Sequence, residues 1–73
     1  MLKRKIKLDL DSKLNELKMN LSNNYKDLAH EALNKLQETL EQYKESGEIK
    51  EKDYQKYKQI ADGYAMQMQN YHH

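Results

Sequence analysis

Side chains that could take part in catalysis are few in this sequence, and no catalytic constellation is recognisable. Ser12, Ser22 and Ser46 stand where a helix would start or a turn would form, so their hydroxyls are expected to serve as caps and turn residues. His30 has acidic neighbours at helical spacing and could act in acid–base or metal chemistry, but this pattern is more typical of a solvated histidine on a helix surface. We therefore expect no enzyme activity.

Metal and phosphate chemistry are also poorly represented. Four acidic residues at helical spacing favour a solvated helix face over a cation site; they are Glu38, Glu41, Glu45 and Glu48. The chain has no cysteine, which excludes a zinc site built on thiolates. His72 and His73 could bind a divalent metal weakly, but a frayed end is the better interpretation. We expect no metal and no cofactor.

The tyrosines are the most unusual feature. All six aromatic residues are tyrosine, and Tyr57, Tyr64 and Tyr71 follow one another at intervals of seven. A tyrosine buries a large ring while keeping its hydroxyl near water. This stripe therefore predicts either core packing with the hydroxyls at the rim, or a contact surface for another protein.

The charge distribution is uneven at the start of the chain. Lys3, Arg4, Lys5 and Lys7 precede the first acidic residue, so this segment could bind nucleic acid or an anionic membrane surface. The whole chain has a net charge of only +1, which argues against a dedicated polyanion binder. No apolar run is long enough to span a membrane, and the missing cysteines fit a reducing compartment, so we expect a cytoplasmic protein.

Apolar spacing predicts a single helical domain over residues 1–73. The predicted elements are a basic N-terminal arm at 1–10 and helices at 11–22, 24–46 and 50–71. The arm is ambiguous, because Ile6, Leu8 and Leu10 alternate as in a strand while Leu2, Ile6 and Leu10 are four apart as in a helix. A helix or irregular arm and a strand paired with another protomer both remain open.

Two turns separate the predicted helices. The run of polar residues around Asn24 favours a turn over one continuous helix. Gly47 suits the left-handed position that ends many helices, and Ile49 with Tyr54 has the spacing of a hydrophobic staple at the next helix start. Gly63 interrupts the last helix beside its apolar stripe, where it could allow another helix to approach closely.

Residues 40–60 resemble the SHOCT module, a short helix–turn–helix segment usually appended to other bacterial domains. The matching residues are Gly47, Ile49, Asp53, Tyr54 and Lys58, although Lys50 stands where the family usually has Thr. The resemblance implies oligomerisation or partner binding, with no catalytic residue to carry over.

Residues 3–36 more faintly resemble ribbon–helix–helix DNA-binding domains, which pair a basic N-terminal strand across a dimer and continue with two helices. The resemblance implies that Lys3, Lys5 and Lys7 face the major groove of DNA while Ile6 and Leu8 face the core.

The sequence as a whole predicts an all-α fold, with an antiparallel hairpin about Gly47 and a short N-terminal helix or arm forming a three-helix bundle. So small a core rarely supplies much net stability, so we expect a homodimer to complete it, with another protein as a further partner. The expected function is a non-enzymatic interaction or oligomerisation module. Its expected contact residues are Leu33, Leu36, Leu40, Tyr57, Tyr64 and Met68. The alternative is a DNA-binding regulator that uses residues 3–9.

Overall fold

A computed structural model describes residues 3–69 and contains three helices in an elongated bundle of 40 × 18 × 15 Å. The helices are α1 (Arg4–Ser22), α2 (Lys26–Ser46) and α3 (Glu51–Gln69). Within residues 3–69 there is no strand, which confirms the predicted all-α class. The predictions for Tyr71, His72 and His73 lie outside the described residues.

Helix α1 begins at Arg4, not at residue 11, so residues 4–10 are not a separate arm. The four-residue spacing prevails over the alternating pattern because Ile6 is buried and extends the stripe begun at Leu10. One unbroken apolar stripe then runs along α1. Its buried members are Ile6, Leu10, Leu14, Leu17 and Leu21.

The turn between α1 and α2 is set by Asn24, which adopts a left-handed conformation with φ of 61°. Asparagine tolerates this region better than most residues. The N–H of Asn24 donates to the carbonyl of Leu21 at 3.1 Å, and the N–H of Tyr25 donates to that of Asn20 at 2.9 Å. This pair of bonds is a Schellman motif, and it confirms the predicted turn.

A second Schellman motif ends α2 at Gly47, whose φ is 77°. The N–H of Gly47 donates to the Lys44 carbonyl at 3.1 Å, and the N–H of Glu48 donates to the Tyr43 carbonyl at 3.0 Å. Beyond the turn, Ile49 and Tyr54 are both buried, as the predicted staple requires. The hairpin about Gly47 is therefore confirmed.

Helix α2 is the central element, and α1 and α3 both pack on it. Over their described lengths, no Cα atoms of α1 and α3 come within 8 Å of each other. The apolar face of α2 is broad enough to meet both neighbours; its buried residues are Ala29, Ala32, Leu33, Leu36 and Leu40. The described residues thus share one core.

Gly63 does not serve as a contact point within this core. It is exposed on α3, and a Cβ atom built on it would meet no packing neighbour of the described chain within 4 Å. The close helix approach predicted at Gly63 is therefore absent from the fold of the described residues.

Candidate interaction site

The residues predicted to form a contact face lie mostly inside the chain. Five of them are buried, and Tyr64 is partly buried against the same core. The buried residues are Leu33, Leu36, Leu40, Tyr57 and Met68. Their apolar surface is therefore covered by the chain's own helices, and a partner could reach most of it only if the bundle opened.

Three tyrosine hydroxyls join helices through carboxylates. Each hydroxyl donates to an acid on another helix, so the tyrosine rings pack inward while the polar groups meet at the rim. The pairs are Tyr43 with Asp9 at 2.5 Å, Tyr57 with Asp11 at 2.8 Å, and Tyr54 with Glu41. These contacts match the core-packing interpretation of the tyrosines, but the sequence did not predict the acidic partners.

The two aspartates of this network also bind lysines on their own helix. A hydrogen bond from Lys13, 2.5 Å away, and then the tyrosine hydroxyl hold the pKa of the Asp9 carboxyl below its usual value. For Asp11, the pKa is lowered first by a hydrogen bond from Lys7 at 2.6 Å. Both carboxyls are therefore ionised acceptors at neutral pH.

The tyrosines show the opposite shift. Their carboxylate partners raise the pKa of Tyr43 and of Tyr54 to about 12. Burial is the first cause for Tyr57, followed by its own carboxylate, and its pKa also rises to about 12. All three hydroxyls are thus neutral donors at physiological pH, and their arrangement serves to tie helices together.

The other side chains that could react or bind a metal do not form a cluster within residues 3–69. The Ser46 hydroxyl donates to the Tyr43 carbonyl at 3.1 Å, which fits its predicted role at a turn. Across residues 3–69, no group of three or more acids or histidines is arranged to hold a metal ion. None of the helices described is both long and apolar enough to cross a membrane.

A groove of about 500 Å³ opens between the first half of α2 and the end of α3. Leu33, Ala65 and Met68 form its apolar base, and two of these residues belong to the predicted contact set. The rim is polar and carries both signs of charge; it consists of Lys26, Asp27, His30, Gln37 and Gln69. His30 is exposed, as predicted, but its place beside a groove was not foreseen.

Exposed apolar side chains gather at the same end of the bundle. Met19 lies near the end of α1, Tyr25 and Leu28 lie at the start of α2, and Met66 lies near the end of α3. Short turns make neighbouring helices antiparallel, so these three helix ends lie together, away from Gly47. Leu8 is the remaining large apolar side chain of residues 3–69 that is strongly exposed, and it lies at the opposite end.

The basic start of the chain takes a helical geometry. Lys3 is the N-cap residue, and Arg4, Lys5 and Lys7 lie in the first turns of α1. Residues two apart on a helix are separated by about 200°, so Lys5 and Lys7 point to opposite sides. Lys7 also forms an ion pair with Asp11. The one-sided basic strip of a ribbon–helix–helix strand is therefore not formed by the described residues.

Comparison with known proteins adds no identification. No protein-family profile matches the chain, and neither a curated protein nor a solved structure matches it.

Proposed function

We propose that this chain is a non-enzymatic interaction module that associates with a second copy of itself through the groove between α2 and α3. The observation that carries the proposal is this groove, which opens at the end of the bundle where Leu28 and Met66, on the same two helices, expose apolar side chains to solvent. Removing such surface from water favours association.

The charge pattern around the groove supports self-association. Lys26 and Asp27 give its rim both signs of charge, so two identical rims can meet without a net repulsion. Residues 63–69, which form the end of α3, carry no charged side chain. Interface centres are generally depleted of charge in the same way.

The interaction site proposed here differs from the predicted tyrosine-rich face. The hydroxyls of Tyr43, Tyr54 and Tyr57 are engaged within the chain, where each donates to a carboxylate on another helix. Leu33 and Met68 remain part of the proposal because they also line the groove.

The test compares two variants that introduce the same charge on α2. Gln37 lines the groove, whereas the exposed Gln42 lies about 140° away around the helix. Sedimentation velocity from about 5 to 500 µM protein measures dimerisation over the range typical of weak interfaces. We expect Gln37→Lys to weaken dimerisation by about tenfold, since each interface would desolvate two added charges, and Gln42→Lys to leave it unchanged. Equal effects of the two variants would contradict a role for the groove.

DNA binding through Lys3, Lys5 and Lys7 is the competing proposal. Its support is the first turn of α1, which carries cations and no acid at the positive end of the helix dipole. Fluorescence anisotropy with a labelled duplex distinguishes the two proposals. Phosphate contacts by these lysines would make log K fall linearly with log salt, with a slope of about −0.9 for each contact. We expect no saturable binding even at low salt.

A further inference from the structure

Met66 is the most exposed of the large apolar side chains in the described chain, with 71% of its surface accessible. It follows Ala65 directly and precedes Gln69 by three residues, and both of these line the groove. The α3 wall of the groove therefore has an unburied apolar side chain on its outer side. In the monomer the Met66 side chain contributes no hydrophobic stabilisation, because it stays in water.

We propose that two copies associate about a two-fold axis and that each inserts its Met66 side chain into the groove of the other. This inference rests on the proposed function and names a side chain that enters the groove. A two-fold interface requires one surface to be complementary to itself. Met66 and the groove lie next to each other on α3, so they meet this requirement. The rotation that places Met66 of one copy in the groove of the other also places the second Met66 in the first groove.

The chemistry of the surrounding residues fits this occupant. Methionine is unbranched and flexible, so it can fill an irregular groove between two helices. The groove base offers Leu33, Ala65 and Met68 as apolar contacts. The neighbouring part of α3 is uncharged from Gly63 to Gln69, so two copies of this segment can approach without charge repulsion.

The first experiment replaces Met66 with glutamine, which has a similar length and a polar end. Met19→Gln is the matched control, because Met19 is 64% exposed on α1. Both side chains are in water in the monomer, so thermal unfolding at low concentration should remain near that of the wild type for both variants. We expect Met66→Gln to raise the dimer Kd by about 100-fold, because the side chain is buried twice per dimer. Met19→Gln should change the Kd by less than about twofold.

A second experiment uses the absence of cysteine from the chain. A Met66→Cys protein is mixed with a Gln37→Cys protein under mild oxidation, and the disulfide-linked heterodimer is quantified. We expect it to form much faster than the product of Met66→Cys with Gln42→Cys, which loses the same methionine but has its second cysteine outside the groove, because disulfides need Cα atoms within about 7 Å. Equal rates would overturn the placement of Met66.

The outcomes separate this inference from the proposed function. A wild-type chain that remains monomeric at every concentration would overturn both. Dimerisation that is weakened by Gln37→Lys but unchanged by Met66→Gln would retain the groove as the interface and overturn the role of Met66.

Discussion

The two glycines of this chain should respond in opposite directions to the same substitution. Gly47 has a φ of 77°, and a Cβ added there meets no packing neighbour of the described residues within 4 Å. The change Gly47→Ala therefore introduces backbone strain without a clash. A left-handed conformation costs an L-residue about 1–2 kcal/mol, part of which is offset by the lower entropy of the unfolded chain. We expect a net loss of about 1 kcal/mol in the free energy of unfolding.

Gly63 lies inside α3, is exposed, and likewise has no packing neighbour within 4 Å of an added Cβ among the described residues. Alanine is favoured over glycine in a helix interior by about 0.8–1 kcal/mol. The change Gly63→Ala should therefore raise the free energy of unfolding by nearly that amount. The two variants should then differ by about 2 kcal/mol, or roughly 8–16 °C in Tm for a chain of this size.

The assay is urea and thermal unfolding followed by circular dichroism, at a concentration low enough to keep the chain monomeric. The wild type provides the reference, and equal urea m-values would show that the variants unfold from similarly compact states. A destabilised Gly63→Ala protein would refute the exposed placement of Gly63. A Gly47→Ala protein as stable as the wild type would refute the left-handed turn.

Three further predictions concern the turn at Asn24 and the tyrosine–carboxylate network. Asn24→Gly should stabilise the fold by a few tenths of a kcal/mol and Asn24→Ala should destabilise it by about 1 kcal/mol, as measured by urea unfolding; a reversed order would contradict the positive φ. Tyr57→Phe should cost about 1 kcal/mol by the same measurement, because Asp11 loses a donor but stays partly solvated; no loss would mean that the hydroxyl bond is not formed. The lowered pKa values of Asp9 and Asp11 make a stabilising contribution that is complete above pH 3.8 and is lost as the pH falls through their folded pKa values. The raised pKa of a tyrosine such as Tyr43 makes a contribution that is complete below pH 10, so stability should be lost as the pH rises from about 10 to about 12. Thermal melts across the acidic and the alkaline range measure both effects, and a constant Tm would contradict them.

Most of the fold could be predicted from local patterns in the sequence. The stripe of leucines along α1 and the broad apolar face of α2 have helical spacing throughout, and burial follows that spacing. Asn24 and Gly47 stand at the two left-handed positions, and these are the residue types that such positions favour. The order of three helices could therefore be predicted without knowledge of the packing.

The start of α1 could not be predicted by local rules, since they argue against a helix there. Lys3 cannot accept a hydrogen bond from a free N–H, and each cation at a helix N-terminus costs about 0.3–1 kcal/mol. Burial of Ile6 contributes about 1.5–3 kcal/mol, and the ion pair of Lys7 with Asp11 offsets part of the repulsion. Burial of Ile6 is thus of the same size as the combined local penalty and offsets it.

Only part of the candidate site could be predicted from the sequence. Leu33 and Met68 were assigned to a contact surface by their apolar spacing, but the same spacing serves an internal core equally well. The groove depends on how far α2 and α3 separate, and the link between Asp9 and Tyr43 spans 34 positions. Neither the helix separation nor a contact of this range is encoded in local periodicity.

Sedimentation equilibrium of the wild-type chain tests self-association most directly. We expect the apparent mass to rise with concentration from that of the 8.8 kDa monomer towards twice that value, and we expect Gln37→Lys to reduce this rise. A monomer mass at every concentration, up to about 500 µM, would contradict self-association through the groove.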